Sequence, residues 1–269
     1  MELIAEKPLY RGRGRELIQP GSVFTETIPA YANDLIRSGK ARPNFHETKP
    51  HWPTLGPGSV SCIMPTKNRR QFVPRAIACF QAQSYGPREL IILDNGDSVK
   101  DLVPDDRRIR YTLLKSKQST GQFRNFCCQM AQGEFIAHWD DDDWYHPERL
   151  AEQIALIGEH QAAGYHSILF DGPKGVYSYN GQPDYALGTS LLYRRSWWLS
   201  NKFPSVNVGE DSEYVERLGR RLIVADGKAR IVASIHASNT SPRYPELKDA
   251  KGHSAWKRED RCILPVGYS

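Results

Sequence analysis

Hydrophobic and polar positions divide the chain by texture. Residues 1–59 show little sustained periodicity and carry RGRGR, seven prolines and PHWPTLGPGS. This stretch reads as an extended arm or lid ending in a Pro/Gly linker near Gly58, with RGRGR suited to phosphate or to a solvated tail. From Val60 onward, short apolar runs alternate with helical patterns. SVSCIMP predicts a buried strand. RRQFVPRAIACFQAQ follows with Phe72, Ile77 and Phe80 at helical spacing, and Pro74 is tolerable only near the first turn of that helix. ELIILDN and RIRYTLL predict two more strands. STGQFRNFCCQMAQG predicts a helix that Ser119 or Thr120 caps and Gly133 ends. EFIAHW is a fourth strand, and PERLAEQIALIGEHQ a helix with Pro147 in its first turn. Continuous apolar strands alternating with helices imply a parallel sheet covered on both faces.

The second half is less regular. SILFDGP, KGVYSYN and GTSLLYRR read as short strands with turns at Gly172-Pro173 and Asn180-Gly181. EDSEYVERLGRR predicts a helix, and RLIVAD and ARIVASIHA two further strands. The tail from Ser241 is polar, contains proline and is assigned no structure. No internal repeat is visible. The expected organisation is an arm over 1–59, one α/β domain over 60–240 and a C-terminal tail over 241–269.

Composition narrows the class. With 269 residues, 39% hydrophobic and 10% aromatic, the chain suits a globular fold with a large core. No run approaches the about 18 uninterrupted apolar residues of a membrane span. The start, MELIAEKPLYRGRGREL, is charged and lacks a secretory core, so the expected compartment is the cytoplasm. Five cysteines, at 62, 79, 127, 128 and 262, are odd in number and show no CxxC spacing, which favours reduced structural thiols over a metal or disulfide framework. A net charge of +5 suits either an anionic partner (a phosphate-bearing ligand, a membrane surface, nucleic acid) or ordinary surface charge.

The densest chemistry lies in HWDDDDWYHPERL, residues 138–150, where Asp140 to Asp143 follow the fourth strand. In parallel sheets, ligand sites form at the carboxyl ends of strands. Four adjacent carboxylates repel one another unless a cation or a donor-rich ligand offsets them, and a hard divalent ion such as magnesium or manganese is the simplest offset. A solvated turn capping the helix that starts at Pro147 accounts for one or two of these aspartates better than for four. PTKNRR follows the first strand and DNGD the second, so Thr66, Asn68, Asp94 and Asn95 are expected at the same sheet edge.

These motifs, from about Val60 to Ser241, resemble glycosyltransferase family 2. The resemblance rests on VSCIMPTKNR, ELIILDNGD, TGQFRNFCCQMAQGEFIAHWDDDDWYHPERL, GTSLLYRRSWW and GEDSEYVERLGRR, in that order. A lone DxD is frequent by chance, whereas a strand followed by DxDD-x-x-x-P-x-x-L and a later GED is specific. The resemblance implies an α/β, GT-A fold: a Rossmann-like, mostly parallel central sheet flanked by helices, with a smaller antiparallel acceptor-side region. It also implies a metal-dependent, inverting transfer of a hexosyl or related sugar from a nucleotide-diphosphate sugar, a UDP-sugar favoured, to an acceptor hydroxyl. Pro65 and Thr66 would flank the base, while Asp94 and Asn95 would face base and ribose. The family usually has a carboxylate where Asn95 stands, and an amide donates as well as accepts. Arg124 matches the basic residue that contacts the nucleotide. Asp140 and Asp141 match the positions that meet ribose and donor sugar, Asp142 the ligand of Mn2+ or Mg2+, and His236 a further metal or phosphate ligand. Asp143 is expected to cap the following helix or to support its neighbours. In GED, Asp211 is the expected base and Glu210 the neighbour that orients the acceptor. Trp197 and Trp198 are candidates to stack on an acceptor sugar. The acceptor would be a saccharide, a glycolipid, a protein or, given the basic arm, a modified nucleic acid. Two other classes compete: a non-catalytic nucleotide-sugar or nucleic-acid binding protein, against which the intact DDDD and GED count, and a nucleotidyltransferase, for which PTKNRR lacks a Gly-rich loop.

Overall fold

The computed structural model describes residues 2–6, 9–11, 16–25, 35, 40–43, 55–240 and 255–268. The chain forms two compact units, residues 1–52 with 116–118, and residues 53–115 with 119–269.

Where the sequence predicts an extended arm, the first unit holds short strands. β1 (Glu2–Ala5) lies between β4 (Val23–Thr25) and β5 (Ala41–Pro43), antiparallel to both, and β2 (Leu9–Arg11) pairs with β3 (Glu16–Ile18). The alternation that licenses β1 is only two positions deep: Leu3 and Ala5 point to one face and are buried. Four of the five residues of RGRGR, 12–15, lie outside the described residues.

The second unit is built on one sheet. β6 (Val60–Thr66), β7 (Arg88–Asp94), β8 (Ile109–Leu113) and β9 (Phe135–His138) are parallel neighbours in the order β9-β6-β7-β8. Thr66 registers with Asp94, and Asp94 with Leu113, so these strands end together at one carboxyl edge. β6 and β7 read as unbroken apolar runs because helices cover both faces. α1 (Val73–Gln81) carries Pro74 in its first turn and buries Val73, Ala76, Ile77 and Phe80. α2 (Thr120–Met130) starts at Ser119, whose hydroxyl accepts from the Gln122 amide while the Gln122 side chain accepts from the Ser119 amide, a capping box.

Beyond β9 the sheet changes character. β13 (Leu192–Arg194) runs antiparallel between β9 and the long β11 (Ala162–Gly172), which also pairs with β12 (Gly175–Asn180), β14 (Leu222–Asp226) and β15 (Ile231–Ser234). The two-residue β10 (Trp144–Tyr145) pairs antiparallel with β15. Helices α3 (Arg149–Ile157), α4 (Arg195–Ser200) and α5 (Glu210–Leu218) complete the unit. This is the expected α/β architecture, a mostly parallel sheet with an antiparallel region beside it.

Local boundaries differ from expectation for identifiable reasons. Gly133 does not end α2, which stops at Met130; a Cβ on Gly133 would lie 2.7 Å from the Ser61 amide, so this glycine permits close approach to β6. Pro147 stands two residues ahead of α3, within a turn in which the Arg149 amide donates to the His146 carbonyl. The tail assigned no structure contains β16 (Trp256–Glu259), antiparallel to β12, where Trp256 packs edge-on against Phe170 and Tyr179. All five cysteines are free, four of them buried, and burial pushes the Cys62 and Cys128 thiols up to about 12. Among the described residues no helix is long and apolar enough to cross a membrane.

Candidate active site

The acidic run is the link between β9 and β10, so sheet pairing fixes both its ends. Behind it Trp139 is fully buried, its indole Nε1 donates to the Ala76 carbonyl on α1, and its ring lies against Tyr145 with centroids 4.2 Å apart. The Tyr145 hydroxyl accepts from the Asp140 amide at 2.7 Å and lies 3.0 Å from the Thr189 hydroxyl. The aromatics that flank the run in sequence are thus the floor that shapes it.

Three of the four aspartates are buried, and the protein supplies much of the compensation they require. Asp141 accepts from the Thr66 hydroxyl at 2.5 Å and from Arg69 Nη1 at 3.0 Å. Asp142 Oδ2 accepts from the same Nη1 at 2.9 Å, faces His236 Nε2 at 3.0 Å and lies 3.4 Å from Asn239 Nδ2. Asp143 does not cap α3. It accepts from the Thr189 hydroxyl at 2.6 Å and the Ser234 amide at 3.1 Å, because the pairing of β10 with β15 turns it inward. Asp140 is the half-buried member, and Arg124 Nη2 donates to it at 3.2 Å. Burial and the Asp142 charge push the Asp141 carboxyl up to about 7, and burial raises Asp143 well above the carboxylate range.

The loops after β6 and β7 are knitted together beside this run. The Asn95 amide donates to the Thr66 carbonyl, and the Asn68 side chain, on a residue with φ of 54°, accepts from the Asp97 amide. Asp94 is fully buried and accepts from the Gly96 and Val99 amides and the Tyr111 hydroxyl, so its carboxylate organises the DNGD loop. Pro65 is half-buried at the end of β6.

Arg124 joins the acidic run to the GED motif. From α2 its Nε donates to Glu210 at 3.1 Å while Nη2 reaches Asp140, and Nη1 is buried without a partner. Burial opposes the charge on Arg124, but Asp140, Glu210 and Asp211 outweigh it and raise its pKa. Burial likewise raises the Glu210 carboxyl, against the pull of Arg124. Asp211, next along α5, accepts through Oδ1 from the Ser212 amide at 2.9 Å. Gly209 enters α5 with φ of 83°, a left-handed conformation that suits glycine. Trp198 is 1% exposed, with Nε1 donating to Asn125, so it is core and unavailable for stacking on a sugar; Trp197 is half-buried.

Among the described residues no group of three or more His, Cys, Asp and Glu side chains could hold a metal. Asp142 and His236 do converge, offering a carboxylate oxygen and an imidazole nitrogen to one point. Hard divalent cations can take as few as one or two carboxylates and fill their remaining positions with water and phosphate oxygens, and Asp142 supplies one such carboxylate; neutral imidazole, as at His236, is a common metal ligand beside it. Sequence reasoning missed Arg69, Thr189, Ser234 and Asn239. Arg69 stood in the quoted PTKNRR, and Asn239 lies three residues after His236, but only the fold brings them to Asp142.

Residues 61–208, more than half the chain, match the family model described as Glycosyl transferase family 2. The putative colanic acid biosynthesis glycosyl transferase WcaA of Escherichia coli is 35% identical over 102 residues, covering 36% of this chain and 37% of that one. The GalNAc(5)-diNAcBac-PP-undecaprenol beta-1,3-glucosyltransferase of Campylobacter jejuni is 33% identical over 113 residues, covering 39% and 35%. The matches thus span well under half the length of these relatives. Among solved structures, S. aureus TarS 1-349 in complex with UDP-GlcNAc superposes with a TM-score of 0.56 at 21% identity, covering 70% of this chain and 62% of that one. The mannosyltransferase PcManGT of Pyrobaculum calidifontis, in complex with GDP-Man and Mn2+, superposes at 0.55 with 14% identity, covering 72% and 62%. Both share the fold.

Proposed function

The chain belongs to glycosyl transferase family 2, and from that premise we propose that it moves a sugar from a nucleotide-diphosphate donor, a UDP-sugar favoured, to an acceptor hydroxyl with inversion. The observation that carries this reading is the relay of contacts along one sheet edge: His236 to Asp142, Asp142 through Arg69 to Asp141, and Asp140 through Arg124 to Glu210, beside Asp211. The Campylobacter relative named as a glucosyltransferase and the TarS complex with UDP-GlcNAc support the donor class.

Pro65, Thr66 and Asn95 line the loop edge where base and ribose would lie, with Asp94 holding that loop in shape. Asp140 would meet ribose and sugar hydroxyls, and Arg124, with one N–H pair buried and unpartnered, has donor capacity left for the nucleotide. Asp142 and His236 would hold Mn2+ or Mg2+, which when bound supplies Lewis-acid neutralisation of the leaving diphosphate. Asp211 would take the proton of the attacking acceptor hydroxyl, and Glu210, fixed by Arg124, would orient that acceptor. Attack opposite the leaving group gives single displacement, hence inversion.

The test is a screen of donor sugars by released nucleoside diphosphate, repeated for Asp142→Ala and Asp211→Asn. The reading expects turnover lost in both, with donor binding kept in Asp211→Asn. Full turnover by Asp211→Asn would remove it as base. Diphosphate release by no donor, with any acceptor class, would favour a binding protein instead.

A further inference from the structure

We propose that Arg69 is a resident counter-cation that competes with the divalent cation for Asp142, so that the nucleotide-free protein binds the cation weakly. This inference rests on the metal assignment of Asp142 above. Arg69 leaves the loop after β6 and reaches the acidic run with its side chain 17% exposed. Its Nη1 is shared between Asp141 Oδ1 at 3.0 Å and Asp142 Oδ2 at 2.9 Å. That Oδ2 is the oxygen that faces His236 Nε2, and Asn239 Nδ2 approaches it as well.

A carboxylate oxygen has two lone pairs, and three groups already converge on this one. A cation that bonds Asp142 Oδ2 between it and His236 must therefore displace a donor. His236 is the cation's second ligand and Asn239 is neutral, so the group that charge repulsion expels is the guanidinium. Arg69 is also tied at its other end: Nη2 donates to the Ser238 carbonyl and lies 3.4 Å from the Thr240 hydroxyl. Displacing it breaks four contacts and leaves Asp141, buried, without its cationic partner. A planar guanidinium fork is suited to phosphate oxygens. A nucleoside diphosphate thus offers Arg69 an alternative partner and relieves the competition, which couples nucleotide and cation binding in the same sense.

The experiment is calorimetric titration of Mn2+ into nucleotide-free protein, compared across wild type, Arg69→Gln, Arg69→Lys and Arg70→Gln. Arg70 is the neighbouring arginine, exposed and paired with Asp101, and controls for overall charge. Arg69→Gln should bind Mn2+ at least about tenfold more tightly than wild type. Arg69→Lys, which keeps the charge but lacks the planar fork that spreads donors over two carboxylates and a carbonyl, should fall between, and Arg70→Gln should match wild type. UDP should raise Mn2+ affinity in wild type and raise it much less in Arg69→Gln. Unchanged or weaker affinity in folded Arg69→Gln, or an equal gain in Arg70→Gln, overturns the proposal. If Arg69→Gln loses its thermal transition, Arg69→Lys decides, and affinity no tighter than wild type overturns it. If wild type binds Mn2+ with UDP but Arg69→Gln shows no gain, this inference alone fails. If no variant binds Mn2+ with or without UDP, the metal assignment fails and takes this inference with it.

Discussion

Gly188 stands so close to Asp211 that a Cβ on residue 188 would lie 1.7 Å from Asp211 Oδ2. The turn Gly188–Ser190 thus gives its side-chain space to a carboxylate on α5. Gly188→Ala is expected to displace Asp211 and lower turnover by about a hundredfold, since a shift of about 1 Å can cost that much. Donor binding, followed by calorimetry, should stay near wild type. Unchanged turnover would mean that the position of Asp211 does not matter to the chemistry.

Arg124 and Glu210 form a buried pair, their side chains 7% and 6% exposed. Removing one partner leaves an uncompensated buried charge, so Arg124→Met should cost about 3–5 kcal/mol of stability. Urea unfolding checks this, and Arg124→Met combined with Glu210→Gln should recover part of the loss. A double variant no better than the single one would show that the cost comes from packing instead of charge.

The legible part of this structure is the part written in unbroken periodicity. β6, β7, β9, α1 and α5 follow from apolar runs and helical spacing, and the acidic run sits at a strand end as the parallel sheet requires. β11 starts five residues before SILFDGP because Ala162, Ala163 and Gly164 are small and do not read as an apolar run; a Cβ on Gly164 would meet Ala186 at 2.4 Å. β16 and the first-unit strands are three or four residues long, too short for alternation to stand out from polar surroundings. The compensation of the aspartates is illegible in the sequence because Arg69, Thr189 and the stretch that holds Ser234 and Asn239 are far apart in the chain, and single polar residues carry no period.

His138 carries a pH dependence. Its Nδ1 donates to the Gly188 carbonyl at 2.7 Å, its Nε2 is buried without a partner, and burial holds its pKa well below the usual imidazole value. Below about pH 6.5 the unfolded chain takes up a proton that folded His138 refuses, so this contribution is intact above that pH and lost as pH falls, by up to about 1.4 kcal/mol per unit. Asp141, Asp143 and Glu210, with raised values, tilt stability the opposite way. The difference in melting temperature between wild type and His138→Gln isolates the histidine: it should shift in favour of the variant from pH 7.5 to pH 5. A constant difference would contradict the assignment.

Ser119 holds the start of α2, the helix that presents Arg124. Ser119→Ala should cost about 1 kcal/mol, read as a lowered urea midpoint at constant slope. A change below a few tenths would show that the Thr120 amide, which donates to Asn207 Oδ1 at 3.2 Å, and its neighbours suffice to cap the helix.

In the proposed function Asp142 and His236 together grip the cation that the donor diphosphate brings. Crystals grown with Mn2+ and UDP, measured at the manganese absorption edge, test it directly. One anomalous peak is expected within bonding distance of Asp142 Oδ2 and His236 Nε2, with Arg69 withdrawn from that oxygen. A peak elsewhere on the protein, or bound UDP with no peak between these two residues, would contradict it.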